Sequence, residues 1–181
     1  DSYEHSDDYV TWTLHIREGV QFSNGNAVTA SVVKASLERL YDAEANKTGN
    51  STPSQYVTFS SMEADDAAGT VTLVCDSRTV NLPGILAYPW YGIVDTSVID
   101  TEVIGTGPYY VTALEENSTI DLARNEYYWD GEVPYDTIRI FLTEDSSTKA
   151  MALKSGDVDL VENITTASDL AELEADDTYY V

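Results

Sequence analysis

The chain has 181 residues, of which 32 are Asp or Glu and 9 are Lys or Arg, so its formal net charge is −23. Nucleic acids and anionic membrane surfaces are bound through clustered basic residues, so this composition excludes a nucleic-acid partner and argues against binding to a membrane surface. Hydrophobic residues make up 43% of the chain and 13 residues are Tyr, unlike a disordered acidic tail. We therefore expect a folded core.

The excess of acidic residues is spread along the whole chain rather than gathered in one block. Such a distribution is typical of proteins that work in molar salt, where repulsion between charges is screened over about 3 Å. The alternative is an ordinary acidic protein. The sequence therefore favours a salt-loving source, which indicates an environment and not an activity.

The first third of the chain is predicted to contain a strand, a turn, a helix and a loop. Apolar and polar residues alternate from Val10 to Arg17, which predicts a strand with one buried face. Asn24-Gly25 predicts a tight turn, and Thr29 is expected to cap the helix that follows. Residues 42–55 are polar and are expected to form an exposed loop.

The middle third is predicted to contain two strand pairs, over residues 56–62 with 70–75 and over 108–113 with 120–123. Between these pairs, a short helix is expected to begin at Pro83 and to lead into the aromatic run Tyr88-Pro89-Trp90-Tyr91.

The last third is predicted to begin with a strand from Ile138 to Leu142 and a helix that is capped by Asp145 and ends at Gly156. A short buried strand over 158–161 and a helix opening at Ser168 are expected to follow. Strands and helices alternate at irregular lengths, so the predicted fold class is α/β, of the mixed α+β kind.

Catalytic patterns are nearly absent from the sequence. His5 and His15 are ten residues apart without a partner motif, and Cys75 lies in an apolar strand, where an inert thiol is expected. Neighbouring carboxylates such as Glu115 and Glu116 carry little information in so acidic a chain. The sequence therefore predicts no enzyme, no cofactor and no metal site.

Two aromatic clusters lie beside turn residues. Rings in such places either line a ligand cleft or fill the core between a sheet and a loop. For Tyr128 and Trp129 we favour the core interpretation because Asp130-Gly131 turns the chain there. For Trp90 and Tyr91 both interpretations stay open.

Four glycosylation sequons begin at Asn46, Asn50, Asn117 and Asn163, which favours a surface or secreted protein. The chain opens at Asp1 without an initiator Met and closes on Thr178-Tyr179-Tyr180-Val181, which suggests a strand that is cut off midway. We therefore expect a fragment of a longer protein.

Four motifs, in order between Val10 and Val161, together resemble the signature of the extracytoplasmic solute-binding proteins of peptide and nickel ABC importers. They are WTLHIREGVQFSNG at 12–25 with a following helix, GTGPYY at 105–110, RNEYYW at 124–129, and AMALKSG with DVDLV at 150–161. His15 departs from the family pattern, which often has Leu or a similar residue before its Arg.

The resemblance implies part of a two-lobed binding protein that closes on its ligand by a hinge motion and presents it to an ABC permease in the membrane. Residues 1–104 resemble the family's smaller accessory domain, and 105–181 resemble part of the first lobe, with the second lobe absent. Relatives suggest a monomer that is anchored to the outer cell surface.

The resemblance also implies that Trp90 and Tyr91, with Tyr88 and Tyr56 behind them, contact the ligand. Nickel-complex binders of this family use an Arg near that segment, whereas residues 88–92 contain none and Arg78 is the nearest before them. A peptide ligand is therefore favoured. The alternatives are a nickel complex and, from another class, a secreted carbohydrate-binding surface module.

Overall fold

The computed structural model describes residues 1–42 and 52–180. The described residues form two compact units. The first consists of Asp1–Tyr110 with Ala123–Asp136, and the second of Val111–Leu122 with Thr137–Val181. The expected domain boundary between residues 104 and 105 stays a prediction.

An antiparallel four-stranded sheet forms the centre of the first unit, with the strand order β1-β2-β4-β3. Its strands are β1 (Ser2–His5), β2 (Thr11–His15), β3 (Phe59–Asp65) and β4 (Thr70–Cys75). Trp12 of β2 lies opposite His5 of β1 and Leu73 of β4. Because side chains alternate between the faces of a strand, Val71, Leu73 and Cys75 all enter the core from β4.

Helix α1 (Ala30–Glu38) covers this sheet and contributes Val33 and Leu37 to the same core. Thr29 caps the helix, as predicted, because its side chain accepts a hydrogen bond from the Val32 amide at 3.4 Å. The apolar stripe of α1 therefore closes the core from one side.

Three short helical elements lie along the rest of the first unit. They are α2 (Thr52–Tyr56), α3 (Leu82–Leu86) and a single 3₁₀ turn (Pro89–Tyr91). Asn81 caps α3 by accepting a hydrogen bond from the Gly84 amide, and Pro83 lies in the first turn as predicted.

The three remaining strands form a sheet in the order β5-β6-β7, and two helices follow it. The elements are β5 (Tyr109–Glu115), β6 (Thr119–Arg124), β7 (Thr137–Phe141), α4 (Ser146–Ser155) and α5 (Ala167–Glu174). Asp145 caps α4, and Gly156 ends it in the left-handed region at φ 78°, both as predicted. Lys154 of α4 forms a 2.6 Å ion pair with Glu172 of α5.

The mixed fold class and most elements are confirmed, with three corrections. Residues 52–55 were predicted as part of the exposed loop over 42–55 but begin helix α2, and Tyr56 ends that helix instead of starting a strand. The part of the predicted loop over 43–51 lies outside the described residues. The prediction of a buried strand over 158–161 is wrong, since Leu160 is 73% exposed. The amides of Asp157 and Val158 both bond to the Ala152 carbonyl, so the chain turns back onto the end of α4.

Two further findings concern the chain ends and the length of the helices. Strand β1 was not predicted, and the expectation of a strand at 178–181 is wrong for residues 178–180, which form no strand. Within residues 1–42 and 52–180, none of the helices combines the length and the apolar character that crossing a bilayer requires.

Candidate functional site

The predicted ligand-contacting residues come from two neighbouring elements of the first unit. Tyr56 is the last residue of α2, while Tyr88, Trp90 and Tyr91 lie in and beside the 3₁₀ turn. Pro89 begins that turn, and the amide of Tyr91 bonds back to the Tyr88 carbonyl at 3.0 Å. This tight backbone brings alternate side chains of the turn close to one another.

Three of the four rings form a compact surface, which we call the aromatic tile (Tyr56, Tyr88 and Trp90). The centroids of Tyr88 and Trp90 are 5.5 Å apart, with only 6° between their planes. Tyr56 lies 5.3 Å from Tyr88 and 6.1 Å from Trp90, with planes inclined by 31° and 29°. Offset packing of this kind is favourable between aromatic rings.

Part of the aromatic tile is open to solvent. Tyr56 and Tyr88 are 46% and 44% exposed, and Trp90 is half-buried against the core. The indole Nε1 of Trp90 is buried and has no hydrogen-bond partner within the described part of the chain. The tile therefore offers a broad apolar surface with phenol groups, a combination that suits a ligand cleft.

Tyr91 is placed differently from the other three predicted residues. It is buried, and its hydroxyl donates a 2.7 Å hydrogen bond to the carbonyl of Pro53 at the start of α2. Burial raises the pKa of its hydroxyl, so the group stays protonated and remains a donor. Tyr91 has no surface to offer a ligand, and it fastens the 3₁₀ turn to the helix that carries Tyr56.

The second aromatic cluster lies mostly at the surface. Tyr127 and Trp129 are 45% and 42% exposed, so the expectation that Trp129 fills the core is wrong. The Arg17 guanidinium lies 4.5 Å from the centre of the Trp129 ring. Trp129 is thus already covered by a cation of this chain.

An open cavity of about 510 Å³ lies in the first unit beside Tyr127. Arg124 and Asp136 line it, and they form a 2.9 Å ion pair that the sequence analysis did not predict. Ser23 also lines the cavity, and its hydroxyl is buried without a partner among the described residues. Among the described residues that line this cavity, Arg124 is the one cation, and it is engaged by Asp136 of the same chain.

The cysteine and the histidine that were considered for catalysis, Cys75 and His15, do not belong to the aromatic tile or to the cavity. Cys75 is a buried free thiol whose pKa is raised by burial, which makes the reactive thiolate scarce. His15 lies 3.7 Å from Glu4, near β1. Among residues 1–42 and 52–180, no three His, Cys, Asp or Glu side chains converge as metal ligands do.

Two of the four glycosylation sequons lie within the described residues. Asn117 and Asn163 are exposed, and both have a positive φ, at 57° and 58°. Asn46 and Asn50 lie outside the described residues.

The sequence model of the bacterial extracellular solute-binding proteins, family 5, middle region, matches residues 1–181. The chain therefore belongs to this family.

Two characterised relatives and one solved structure show how the family diverges. The nickel-binding protein NikA of Staphylococcus aureus is 27% identical over 166 residues, which are 90% of this chain and 32% of NikA. The glutathione-binding protein GsiB of Escherichia coli K12 is 29% identical over 166 residues, 87% of this chain and 31% of GsiB. A crystal structure of the nickel ABC transporter protein of Bacillus halodurans superposes with a TM-score of 0.82 at 29% identity, covering 98% of this chain and 36% of that chain.

The chain spans about a third of the length of the relatives that it matches. The relatives also differ in the ligand that their names state, nickel for one and glutathione for the other, at almost the same identity to this chain. Overall similarity therefore does not identify the ligand of this chain.

Proposed function

We propose that this chain is part of the extracellular solute-binding component of an ABC importer, which captures oligopeptides or dipeptides and delivers them to a membrane permease. The observation that carries the proposal is the match to the solute-binding family over residues 1–181. Support for a peptide ligand comes from the glutathione-binding relative, since glutathione is itself a short peptide.

The aromatic tile is the part of this chain that contacts the ligand in this proposal. Tyr56, Tyr88 and Trp90 present ring faces and phenol groups at one surface, and they lose little side-chain entropy when a ligand binds. Tyr91 supports the site indirectly, because its bond to Pro53 keeps the 3₁₀ turn close to α2. No reaction is part of the proposed function.

A nickel complex is the second candidate ligand. It is favoured by the similarity to the nickel-binding protein of S. aureus and to the nickel transporter structure of B. halodurans. Residues 88–92 contain no Arg, and π faces do not attract the anionic groups of a metal chelate. The peptide proposal therefore comes first.

The partners and the location follow from the proposed function. The protein would work outside the membrane, anchored to the cell surface as a monomer, with the permease as its partner. The net charge of −23 suits an exterior in molar salt, where dense carboxylates keep a surface hydrated.

A thermal melt of the full-length protein in molar KCl tests the proposal. The additions are pools of short peptides, nickel with a chelator, and oligosaccharides. A ligand at 100 times its dissociation constant adds about 2.7 kcal/mol to the free energy of unfolding. We expect a higher midpoint with the peptide pool and no shift with the sugars.

A pair of variants connects the result to the aromatic tile. Trp90→Leu should abolish the shift that the peptide pool causes, whereas Trp129→Leu, which removes a tryptophan outside the tile, should leave it unchanged. If only nickel with a chelator raises the melting midpoint, the ligand is a nickel complex and not a peptide. A shift with sugars alone would contradict an importer of peptides or nickel.

A further inference from the structure

The asparagines of the described residues divide into two groups by what their side chains do. Asn117 and Asn163 are exposed, and their side-chain amides form no hydrogen bond with any residue of 1–42 or 52–180. The other described asparagines use their side chains to hold the fold together, and they are Asn24, Asn26, Asn81 and Asn125. Within this set, Asn117 and Asn163 are also the two that begin an Asn-X-Ser/Thr sequon. The asparagines without a structural bond are therefore the ones that a glycan can occupy.

Asn117 lies at the tip of the hairpin that joins β5 and β6. Residues 116–118 form the turn, and all three are exposed. The Ser118 amide closes the turn by donating a 3.0 Å hydrogen bond to the Glu115 carbonyl. A group that is attached at this tip extends beyond the paired strands, so a bulky glycan displaces no packed side chain of the hairpin.

The hydroxyl group of the same sequon is also available. An Asn-X-Ser/Thr sequon needs a hydroxyl two residues after the Asn, and Thr119, the first residue of β6, provides it. This hydroxyl forms no hydrogen bond within the described part of the chain, whereas the Thr112 hydroxyl of β5 donates to the Asp121 carbonyl at 3.2 Å. Asn suits the left-handed backbone at φ 57°, which explains an Asn in this turn but not the free hydroxyl two residues later.

The sequon at Asn163 is less favourable because it is bonded to a helix. The amide of Thr165, the third residue of that sequon, donates a 2.9 Å hydrogen bond to the hydroxyl of Ser146, the buried first residue of α4. On the other side, Lys149 Nζ donates to the Glu162 carbonyl at 3.2 Å. The chain around Asn163 is thus held against α4, where a bulky group has less room than at a hairpin tip.

We propose that Asn117 carries an N-linked glycan on its side-chain nitrogen, Nδ2. The location supports this, because the chain belongs to a family of extracellular proteins and such glycans are carried by secreted and surface proteins. The inference goes beyond the proposed function, since it concerns a modification in the second unit, whereas the aromatic tile belongs to the first.

The sugar donor is a glycan linked to a lipid phosphate, which a membrane-bound transferase uses outside the cytoplasm. Nδ2 of Asn117 attacks the anomeric carbon of the first sugar, and a carbon–nitrogen bond forms. The bond between that carbon and the phosphate oxygen breaks, so the lipid phosphate leaves with the electron pair and Nδ2 gives up one proton. Nothing is oxidised or reduced. The amide of Asn117 breaks no hydrogen bond of the described fold in this step.

The test is peptide mapping by mass spectrometry on the full-length protein, purified from the cells that naturally produce it. Trypsin cleaves after Lys and Arg, and the peptide that it releases over residues 79–124 contains Asn117 as its one sequon asparagine. Fragmentation of this peptide shows whether sugar mass is present and which residue carries it.

Three variants, made in the same cells, distinguish N-glycosylation from other modifications. Thr119→Ser keeps the sequon, so it should keep the glycan. Thr119→Val keeps the branched side chain but removes the hydroxyl, and it should lose the sugar mass completely. Asn117→Gly keeps the left-handed turn but removes the acceptor nitrogen, and it should lose the sugar mass as well.

We expect the wild-type peptide over 79–124 to carry sugar mass on Asn117. The inference is overturned if this peptide is found only at its unmodified mass, if the modification survives in Thr119→Val, or if a glycan is found on Asn163 and not on Asn117. None of these results concerns ligand binding, so the thermal melt with ligand pools still decides the proposed function separately.

Discussion

The carboxylate of Asp95 accepts a 2.7 Å hydrogen bond from the side-chain amide of Asn26, 69 residues earlier in the chain. The same oxygen accepts a second bond from Asn24 at 2.9 Å, while the other oxygen accepts from the amide and the hydroxyl of Ser97. Asp95 is buried. The segment that follows it is bonded to the same turn, because the Ser23 amide donates a hydrogen bond to the Gly105 carbonyl. This network fixes the Asn24-Gly25 turn against the segment that leads into the GTGPYY motif.

Replacing Asp95 by Asn is predicted to lower the free energy of unfolding by about 2 kcal/mol at pH 7, because an amide nitrogen replaces an oxygen that accepts hydrogen bonds. Burial alone would raise the pKa of Asp95, but the bonds from Asn24, Ser97 and Asn26 outweigh it and lower the pKa well below the ordinary value of 3.8. The stabilisation is therefore present above pH 3.8 and is lost as the pH falls below it.

Urea unfolding of wild type and variant between pH 7 and pH 2.5 measures this prediction. The difference between the two should be largest at neutral pH and should shrink below about 3.8. Asp130→Asn, which removes an exposed carboxylate, is the control and should change the stability little. A difference that stays constant with pH would assign the effect to packing instead of to the charged carboxylate.

The Asp95 network also shows where inference from sequence reaches its limit. Local signals identified the Thr29 cap, the Asp145 cap and the Gly156 end, because each depends on residues within a few positions along the chain. The sequence identified Asn24 only as a turn residue and did not single out Asn26, since their partner lies some 70 positions away. A buried polar network of this kind leaves no periodic pattern.

The aromatic run was predictable in position and only partly in role. Sequence placed Tyr88, Trp90 and Tyr91 beside a turn but did not distinguish surface from core. The conformation of the 3₁₀ turn determines this difference, because it places Tyr91 in the core and leaves Tyr88 44% exposed. The error at 158–161 has a similar cause, since an apolar run predicts a buried strand only where a neighbouring strand is available to pair with it.

Tyr91→Phe is predicted to lower the free energy of unfolding by about 1 kcal/mol, because it removes the 2.7 Å bond to the buried Pro53 carbonyl, which then keeps only the 3.3 Å bond from the Val57 amide. Tyr88→Phe is the matched control: it makes the same chemical change at a 44% exposed ring and should alter stability by only a few tenths of a kcal/mol. Denaturant unfolding of both variants measures the difference. Equal effects would show that the Tyr91 hydroxyl does not hold α2 to the 3₁₀ turn.

Gly156→Ala is predicted to destabilise the end of α4 by about 1 kcal/mol, since a side chain disfavours the left-handed conformation at φ 78°. No atom lies within 4 Å of the position that a Cβ would take, so the cost is conformational and not steric. Gly105→Ala is the control, because it has equal space and no positive φ. Thermal melts should show a lower midpoint for the first variant and little change for the second.

The net charge of −23 predicts that stability rises with salt concentration. The screening length falls from about 10 Å at 0.1 M to about 3 Å at 1 M, so repulsion among exposed carboxylates weakens over that range. A gain of about 2 kcal/mol raises the melting midpoint of a domain of 150–250 residues by about 4–8 °C, and that of a longer chain by less. Melts of the full-length protein in KCl and in NaCl measure the effect, and equal gains in both salts are expected from screening. A midpoint that stays flat across the range would contradict adaptation to molar salt, and a gain in KCl alone would indicate specific binding of potassium.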